Sequence, residues 1–412
     1  MTSGLALVLL VVGSYLAAHV AFDWLARKLV IVSGAEYILL GILLGPQVSG
    51  ILNATMLQDL APASALALGW MGAIVGSRFV LTTLVRIPSA IYRVAFVESL
   101  LTLLVVGGVQ FFLLRWLFSL SDQRALAPAI ALGAFATLSG HAGIEVAARR
   151  FRERGTLVTA LRTTTGANAF VAICTVGVLL AAEHAPSATL VRPLTPTEWT
   201  VVTIAIGLVG GGLFHLFLGD ETRIDRLFIS LGGIIILVSG AATYLRLSPV
   251  MAGMFFGATL INTTRQRSEV NAALYRIERP LYFLLLVFAG ASWRPSAQSA
   301  WLLPVLLFVV LRVLAKVGGA RLVARLNDLL PALGNDWGRA LLGQGGLIIA
   351  LAVNYLYTDT LALPNVVFTT AVASVLLTDL LSGRFAASVI APATTSPPPP
   401  APPTPPTPER AA

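Results

Sequence analysis

The chain has 412 residues, of which 57% are hydrophobic and only 11% are charged. Soluble globular proteins are about 45–50% apolar and about 25% charged, so this composition excludes an ordinary soluble enzyme. The 28 Lys and Arg outnumber the 19 Asp and Glu and give a formal charge of +9, which fits a nucleic-acid partner, an anionic membrane surface or the cytoplasmic loops of a membrane protein.

The first 390 residues consist mainly of apolar runs separated by short polar loops. A bilayer core requires about 20 apolar residues per helix, and about thirteen runs approach that length. Two of them, 35–48 and 248–262, are too short to cross as ideal helices. The predicted spans are 4–22, 35–48, 59–79, 90–116, 126–148, 157–182, 199–219, 226–245, 248–262, 279–293, 299–320, 338–357 and 363–387.

The first run predicts the orientation of the chain. No positive charge precedes it, which argues against a secretory signal, and the first basic residues, Arg27 and Lys28, follow it. The positive-inside rule therefore predicts that the N-terminus lies outside and the C-terminus in the cytoplasm, as expected of a multi-pass protein of the cell (inner) membrane. Alternation of the spans then places most basic residues in cytoplasmic loops, so the positive charge indicates the lipid bilayer and no nucleic-acid partner.

The last 22 residues differ sharply in composition from the rest. Ten of the 23 prolines fall within 391–412, which predicts a disordered, polyproline-type cytoplasmic tail without a core.

Two short runs share a glycine pattern and predict an internal repeat. The second span contains Gly41-Ile-Leu-Leu-Gly45 and the ninth contains Gly253-Met-Phe-Phe-Gly257. The two copies lie seven spans apart, and an odd offset gives the second copy inverted topology, which is typical of secondary transporters with a binding site near the bilayer midplane. The predicted units are a transmembrane domain at 1–390, with repeat one at about 1–182, a linking span at about 199–219 and repeat two at about 226–387.

Polar, glycine-containing patches interrupt the fifth and twelfth spans. These patches are Ala136-Thr-Leu-Ser-Gly-His-Ala-Gly143 and Leu342-Gly-Gln-Gly-Gly-Leu347. Irregular backbone at membrane depth requires protein or water to satisfy its polar groups. We therefore predict two broken helices, with Ser139, His141 and Gln344 as candidate binding side chains at the breaks.

In this order and spacing, several motifs resemble the monovalent cation/proton antiporter superfamily, and its bacterial cation:proton antiporter branch in particular. The motifs are Tyr37-Ile-Leu-Leu-Gly-Ile-Leu-Leu-Gly-Pro46, Leu247-Ser-Pro-Val-Met-Ala-Gly-Met-Phe-Phe-Gly257, Ile277-Glu-Arg-Pro-Leu-Tyr-Phe-Leu-Leu-Leu286, Leu311-Arg-Val-Leu-Ala-Lys316 and Gly343-Gln-Gly-Gly346. The resemblance implies an all-α membrane protein with crossed broken helices, a dimerisation domain, and a core domain that moves as an elevator in a homodimer. It also implies a core lysine, which Lys316 matches.

The sixth span departs from the family pattern. Family members carry Asp-Asp, Asn-Asp or a similar pair there, and the second aspartate binds the cation and the proton alternately. This chain has Thr163-Thr-Thr-Gly-Ala-Asn168, and neither position is acidic whether Ala167-Asn168 or Asn168-Ala169 is aligned with the pair. Asn168 offers a carbonyl oxygen but no titratable proton. Thr164, Thr165 and Asn168 remain candidate ion ligands.

The missing acid shifts the predicted proton-binding role to other residues. The acids within predicted spans are Glu98, Glu145 and Asp379, and such groups are functional candidates because burying them is costly. Glu145 or His141 is the candidate proton site. For Glu98 and Asp379, a structural hydrogen bond or ion pair within the helix bundle fits the sequence as well as a functional role does. Lys316 lacks the family's sixth-span partner unless another acid approaches it. Arg312 is expected near a span end or at the lipid headgroups.

Three functions remain open on the sequence alone. The first is exchange of Na⁺ or K⁺ for protons with altered site chemistry. The second is an anion or organic-acid transporter that uses Lys316 and the positively polarised N-termini of the broken helices. The third is a transport-inactive sensor or partner subunit. The sequence contains no cofactor or metal motif and no nucleophile–base spacing, so we expect no enzyme activity.

Overall fold

The computed structural model describes residues 35–153, 155–184, 194–218, 223–294, 299–358 and 361–395. The predicted first span and residues 396–412 of the proline-rich tail lie outside the described residues, as does the side chain of Asp379. The described residues form helices and loops without a β-strand. Six helices among them are long and apolar enough to cross a membrane, which confirms an all-α polytopic membrane protein.

The helices follow one another in this order: α1 (Ala35–Leu44), α2 (Ala54–Asp59), α3 (Ala61–Ser77), α4 (Leu81–Leu84), α5 (Ser89–Phe118), α6 (Asp122–Thr137), α7 (His141–Phe151), α8 (Thr156–Ala182), α9 (Pro196–Leu218), α10 (Ile224–Tyr244), α11 (Pro249–Thr263), α12 (Arg267–Arg276), α13 (Glu278–Ser292), α14 (Leu302–Leu314), α15 (Ala320–Leu326), α16 (Leu330–Leu333), α17 (Leu347–Leu356) and α18 (Pro364–Thr395). A π-helical turn, Ala315–Gly319, joins α14 to α15, and 3₁₀ turns lie at Ser299–Trp301 and Trp337–Leu341.

The helices pack as two groups. The scaffold group consists of α1, α3, α9, α10, α11 and α13; the core group consists of α5, α6, α7, α8, α14, α15, α17 and α18. Contacts are dense within each group and sparser between them. This division corresponds to the expected arrangement of a core and a second domain.

Glycines allow very close helix approach in the scaffold group. A Cβ at Gly72 would collide with the carbonyl of Val250, and a Cβ at Gly253 with the carbonyl of Gly69, so α3 and α11 touch backbone to backbone. The seam between α1 and α13 is built in the same way, because Gly41 approaches Gly290. The glycine patterns predicted as repeat markers therefore act in helix packing.

The seams also show how the two repeats interlock. The short helix α1 of the first repeat packs on α13 of the second, and the short helix α11 of the second packs on α3 of the first. Each copy thus covers the other in the same manner, as expected for two inverted repeats.

Both predicted helix breaks are present in the core group. Helix α6 ends at Thr137 and α7 begins at His141, while the Trp337–Leu341 turn and α17 are separated by residues 342–346. The two breaks cross, and the amide of Gly140 donates to the carbonyl of Gly343 over 2.7 Å. Gly345 adopts φ +71°, a left-handed conformation that favours glycine.

One end of the molecule carries the arginine-rich loops. At this basic end α3, α7 and α11 finish and α5 and α8 begin, and ion pairs or hydrogen bonds link their neighbouring segments, such as Arg267 to Thr82 and Arg162 to Glu145. The final helix extends to Thr395, eight residues beyond its predicted end at 387.

Candidate functional site

Arg312 lies at the centre of the crossing. Its guanidinium is fully buried and donates to the carbonyls of Leu342 over 2.6 Å and Leu138 over 2.7 Å, one from each break. These carbonyls lie just beyond helical segments that end at the crossing, where partial negative charge accumulates. Arg312 therefore neutralises both breaks at once. The expectation that Arg312 lies near a span end or the headgroups is wrong.

Lys316 lies one turn beyond Arg312, in the π-helical turn. Its Nζ is 3.0 Å from Oε1 of Glu98, and both side chains are completely buried. Nζ also donates to the carbonyl of Thr137, the last residue of α6, over 2.7 Å. Thr102 donates to the Glu98 carboxylate over 3.0 Å. Glu98 is thus the acidic partner of Lys316, contributed by α5 and not by the sixth predicted span.

Asn168 is adjacent to this pair. Its Oδ1 accepts from Ser99 Oγ over 2.5 Å, and its Nδ2 donates to Ser139 Oγ over 3.0 Å. Ser139 in turn donates to the carbonyl of Leu341 over 2.9 Å. The asparagine therefore connects α5, α8 and both breaks, and it lies fully buried.

Thr137 joins the ion pair to the asparagine. Its carbonyl accepts from Lys316, and its hydroxyl is within 3.4 Å of the carbonyl of Asn168. We call the resulting set the crossing cluster; its members are Glu98, Ser99, Thr102, Thr137, Ser139, Asn168 and Lys316. The cluster offers carboxylate, carbonyl, amide and hydroxyl oxygens, which are the ligands of hard cations. No three His, Cys, Asp or Glu side chains converge anywhere within the described residues.

A cavity of about 180 Å³ reaches the crossing cluster between the core and scaffold groups. Ser139 and Thr165 lie in its wall, as do Arg78 and His141. Ser139, whose hydroxyl Asn168 contacts, is therefore a member of the crossing cluster that also lines the cavity. Thr165 donates its own hydroxyl to the carbonyl of Arg162 over 2.9 Å.

His141 contacts the scaffold group from the wall of this cavity. It is the first residue of α7, and its Nδ1 lies 3.0 Å from Nη1 of Arg78, which follows α3. His141 has no hydrogen bond to the crossing cluster among the described contacts.

Glu145 lies one turn further along α7. Its carboxylate forms a two-point ion pair with Arg162, with distances of 2.7 and 2.8 Å. The side chain is 30% exposed, so Glu145 is held at the basic end and not in the crossing cluster. The structure therefore does not bring Glu145 and Lys316 together.

The last two predicted ligands are Gln344 in the second break and Thr164 in α8. Gln344 Oε1 accepts from Ser374 over 2.9 Å and from Thr378 over 3.2 Å, which anchors the second break to α18. Thr164 lies fully buried one turn before Asn168, and its hydroxyl has no hydrogen-bond partner in the described part of the chain.

Sequence reasoning missed the roles of Arg312, Ser99 and Thr137. The spacing of Arg312 and Lys316 was the available signal, because residues four apart share a helix face. Two cations on one face of an apolar helix require negative partners on the facing helices, and these are Glu98 and the carbonyls at the breaks.

Comparisons with known proteins identify the fold. Neither a protein-family model nor a curated protein sequence matches the chain. A structure of the sodium proton antiporter MjNhaP1 from Methanocaldococcus jannaschii at pH 8 matches with a TM-score of 0.65 and 18% identity, over 94% of this chain and 98% of the antiporter. An electron microscopy structure of the same antiporter matches with a TM-score of 0.59 and 17% identity, over 93% and 98%. The chain therefore has a cation/proton antiporter fold.

Proposed function

We propose that this protein is a secondary active transporter that exchanges a monovalent cation, Na⁺ or K⁺, for a proton, and that Glu98 and Lys316 bind the two ions alternately. Its fold matches that of a sodium proton antiporter over nearly the whole chain. The observation that carries the proposal is the completely buried Glu98–Lys316 pair, which lies at the crossing of the two broken helices.

Charge balance in the buried site gives the proposed exchange its stoichiometry. With Lys316 protonated, its ammonium neutralises Glu98. When Lys316 releases its proton, the buried carboxylate requires another positive charge, because an unpaired charge at this depth is unfavourable by several kcal/mol. A monovalent cation meets that requirement. The site is then neutral with either ion, and one cation exchanges for one proton.

The neighbouring groups supply the rest of the cation's ligands. The Thr137 carbonyl and the Thr102 hydroxyl already contact the ion pair. Asn168 adds an amide oxygen that needs no titration, so its lack of acidity is compatible with cation binding. In this scheme Asn168 coordinates the cation, whereas proton exchange takes place at Lys316.

Access to the site is proposed through the cavity at the basic end. The cavity reaches Ser139, which hydrogen-bonds to Asn168. By the positive-inside rule this end faces the cytoplasm. The N-terminus then lies outside the cell (inner) membrane, and the proline-rich tail lies on its cytoplasmic side. The same proposal includes a homodimer formed through the scaffold group and elevator motion of the core group. It also includes repeat one at about 1–182, a linking span at about 199–219 and repeat two at about 226–387.

The anion-transport alternative receives less support from the geometry. The ammonium of Lys316 already contacts a carboxylate and a backbone carbonyl. It lies at the C-terminal end of α6, where the helix dipole is negative. An anion at this position would therefore meet a cation whose charge is already balanced.

Flux measurements on the purified protein in liposomes test the proposal. We expect a Na⁺ or K⁺ gradient to drive proton movement, reported by an internal pH-sensitive dye. The double variant Glu98→Gln with Lys316→Gln should abolish this movement while leaving a neutral, hydrogen-bonded pair. Asp122→Asn, which removes an exposed acid paired with Arg115, is the matched control and should retain it.

Two results would overturn the proposal. Absence of cation-dependent proton movement at every pH, in protein shown to be folded, would favour the transport-inactive alternative. Uptake of an organic anion that is lost in Lys316→Ala and is insensitive to Na⁺ and K⁺ gradients would favour the anion transporter.

A further inference from the structure

A cleft separate from the crossing cluster lies between α7 and α8 at the basic end. Its volume is about 580 Å³, and five of the six residues in its wall are charged. None of the six belongs to the crossing cluster or to the wall of the cavity that reaches it. We call it the arginine cleft; its wall consists of Glu145, Ala148, Arg149, Arg152, Glu153 and Arg162.

Both carboxylates of the arginine cleft already have partners. Glu145 forms the two-point ion pair with Arg162, and Glu153 Oε1 accepts from the backbone amide of Gly155 over 2.7 Å. Three guanidinium groups and two carboxylates give the cleft a net charge of +1. Since Arg162 is neutralised by Glu145, the surplus positive charge belongs to the other two arginines.

Arg149 and Arg152 are the arginines of the cleft without a partner. Both are exposed, and neither side chain has a hydrogen bond or an ion pair to any residue that the structure describes. Arg149 lies in the last turn of α7, and Arg152 caps that helix in the left-handed conformation, with φ +53°, where glycine is the usual residue. A guanidinium has five N–H donors and no acceptor, so an anion is the ligand that these two side chains can bind.

A phosphodiester fits this pair of arginines better than a carboxylate does. The planar guanidinium fork matches two oxygens of a phosphate group. A carboxylate has two oxygens in one plane and is occupied by a single fork, as Glu145 is by Arg162. The tetrahedral phosphate directs its oxygens to different sides and can accept from both arginines. Its single negative charge also balances the net charge of the cleft.

The arginine cleft lies where two membrane-spanning segments end. The helical segments Asp122–Phe151 and Thr156–Ala182 are each long and apolar enough to cross a bilayer, and the cleft is formed at their basic ends. Val146 lies three residues before Arg149, on the same face of α7 and one turn closer to the bilayer centre, and it is 45% exposed. Basic pockets between membrane helices bind the headgroups of anionic lipids. A headgroup at Arg149 would leave its acyl chain beside this apolar side chain.

We propose that the arginine cleft binds the headgroup of an anionic phospholipid. Arg149 and Arg152 hold the phosphodiester, and an acyl chain lies along Val146. Because α7 and α8 belong to the core group, the lipid is bound by the core group and not by the scaffold group. Binding does not depend on whether the chain exchanges ions, so the site stands apart from the proposed function.

Lipid binding to the purified full chain tests this site. Native mass spectrometry in detergent counts bound phosphatidylglycerol, which is anionic, and phosphatidylcholine, which is zwitterionic. We expect the wild type to bind phosphatidylglycerol more tightly. Arg149→Gln with Arg152→Gln should bind it at least about tenfold more weakly, since each arginine near an anionic headgroup contributes a factor of about five. The ion pair between Glu145 and Arg162 stays intact in this variant and keeps the two helix ends joined.

Two further variants separate the cleft from a general effect of charge. Arg86→Gln with Arg325→Gln removes the same charge from two exposed arginines of the basic end that lie outside the cleft, and it should bind phosphatidylglycerol as the wild type does. Arg149→Lys with Arg152→Lys keeps the charge but not the fork, so it should recover only part of the affinity. Melting temperatures establish that each variant is folded.

The proposal is disproved if the wild type binds both lipids equally, or if the glutamine variant of the cleft retains phosphatidylglycerol as the control variant does. Inorganic phosphate distinguishes a lipid headgroup from a free anion. We expect it to compete only at a far higher concentration, because it lacks the chain that packs beside Val146. Competition at the same concentration as the lipid would assign the cleft to free phosphate and overturn the lipid site. Absence of flux with selective lipid binding would count against the proposed function and not against this site.

Discussion

Lys316 and Glu98 lie 218 residues apart in the sequence and meet at 3.0 Å, with neither side chain reaching solvent. Their ammonium and carboxylate lie beside the carbonyl that ends the first half of a broken helix. Each charge offsets the cost of burying the other. Removal of one charge should therefore lower the stability of the protein mainly because the other charge is left buried without a partner.

Removal of one charge of this pair should destabilise the protein strongly. Glu98→Gln leaves the Lys316 ammonium buried without its counter-charge, and loss of one partner of a buried pair costs about 3–5 kcal/mol. The free energy of unfolding in detergent, or the melting temperature, measures the effect.

The same pair yields a sharper comparison when both charges are removed together. Glu98→Gln with Lys316→Gln leaves no orphan charge, so the double variant should be more stable than either single variant. A double variant as unstable as the sum of the single variants would show that the two residues do not act as a pair.

Arg312 should hold the two breaks in register. In Arg312→Gln, the carbonyls of Leu138 and Leu342 lose a charged donor, and each unsatisfied buried carbonyl costs about 1–3 kcal/mol. Arg312→Lys keeps the charge but not the fork that reaches both breaks, so it should recover only part of the stability.

Hydrogen exchange localises this effect. Amides of residues 140–143 and 343–347 should exchange faster in Arg312→Gln, and those of the scaffold seam between α3 and α11 should not. Arg115→Gln, which changes an exposed arginine of α5, is the control. Uniformly faster exchange over the whole chain would contradict a local role for Arg312.

The breaks, the short glycine helices and Lys316 were predictable because their signals are local. A cluster of Ser, Gly and His within an apolar run is incompatible with a regular lipid-facing helix, and the structure has its breaks at those clusters. Glycines four residues apart are typical of close helix packing, and Gly253 and Gly257 do pack closely, although the spacing alone does not give the partner helix.

The partner of Lys316 and the burial of Arg312 depend on tertiary structure. The sequence around Glu98 fits a structural acid and a functional acid equally well. Only the packing of α5 against α14 shows that Glu98 is the partner of Lys316. Arg312 within an apolar run reads as a span end unless the carbonyls of Leu138 and Leu342 are known to converge on it. Those carbonyls come from two crossing segments, and no spacing along a single helix encodes that crossing.

The glycine seam of the scaffold group gives a prediction about folding alone. A Cβ at Gly76 would press on backbone atoms of α11, including the amide nitrogen of Ala258 at 2.7 Å. Gly76→Ala should therefore destabilise the protein by about 1–3 kcal/mol. The atoms that the new methyl group would meet belong to the backbone of α11, which cannot move aside as a flexible side chain can. The melting temperature of the purified protein measures this.

A matched variant separates overpacking from the general effect of adding a methyl group. Gly108 lies within α5, and a Cβ there would meet no atom within 4 Å. Gly108→Ala should be neutral or stabilising by up to about 1 kcal/mol, because it restricts the unfolded chain. Equal losses of stability in Gly76→Ala and Gly108→Ala would rule out the close backbone contact.

Asn168→Asp tests whether charge balance in the crossing cluster sets the stoichiometry of exchange. Asn168 contacts Ser99 and Ser139 and lies next to the carbonyl of Thr137, so an aspartate there adds a second buried carboxylate near Lys316. In the proposed native cycle the site is neutral with either a proton or a cation. With an added acid, the proton-loaded site is neutral only if both Lys316 and one carboxylate are protonated.

The cation-loaded variant is neutral when it keeps one of these two protons, so it should still exchange one proton for each cation, and its rate should stay insensitive to membrane potential. Flux in liposomes whose potential is clamped by an ionophore checks this. The wild type and Asn168→Asp should both give the same rate at every imposed potential, and a rate that depends on potential in the variant would show that both protons leave and that neutrality does not set the stoichiometry. If only Asn168→Asp exchanges cations for protons, Glu98 and Lys316 are insufficient for exchange, and the native chain performs another function.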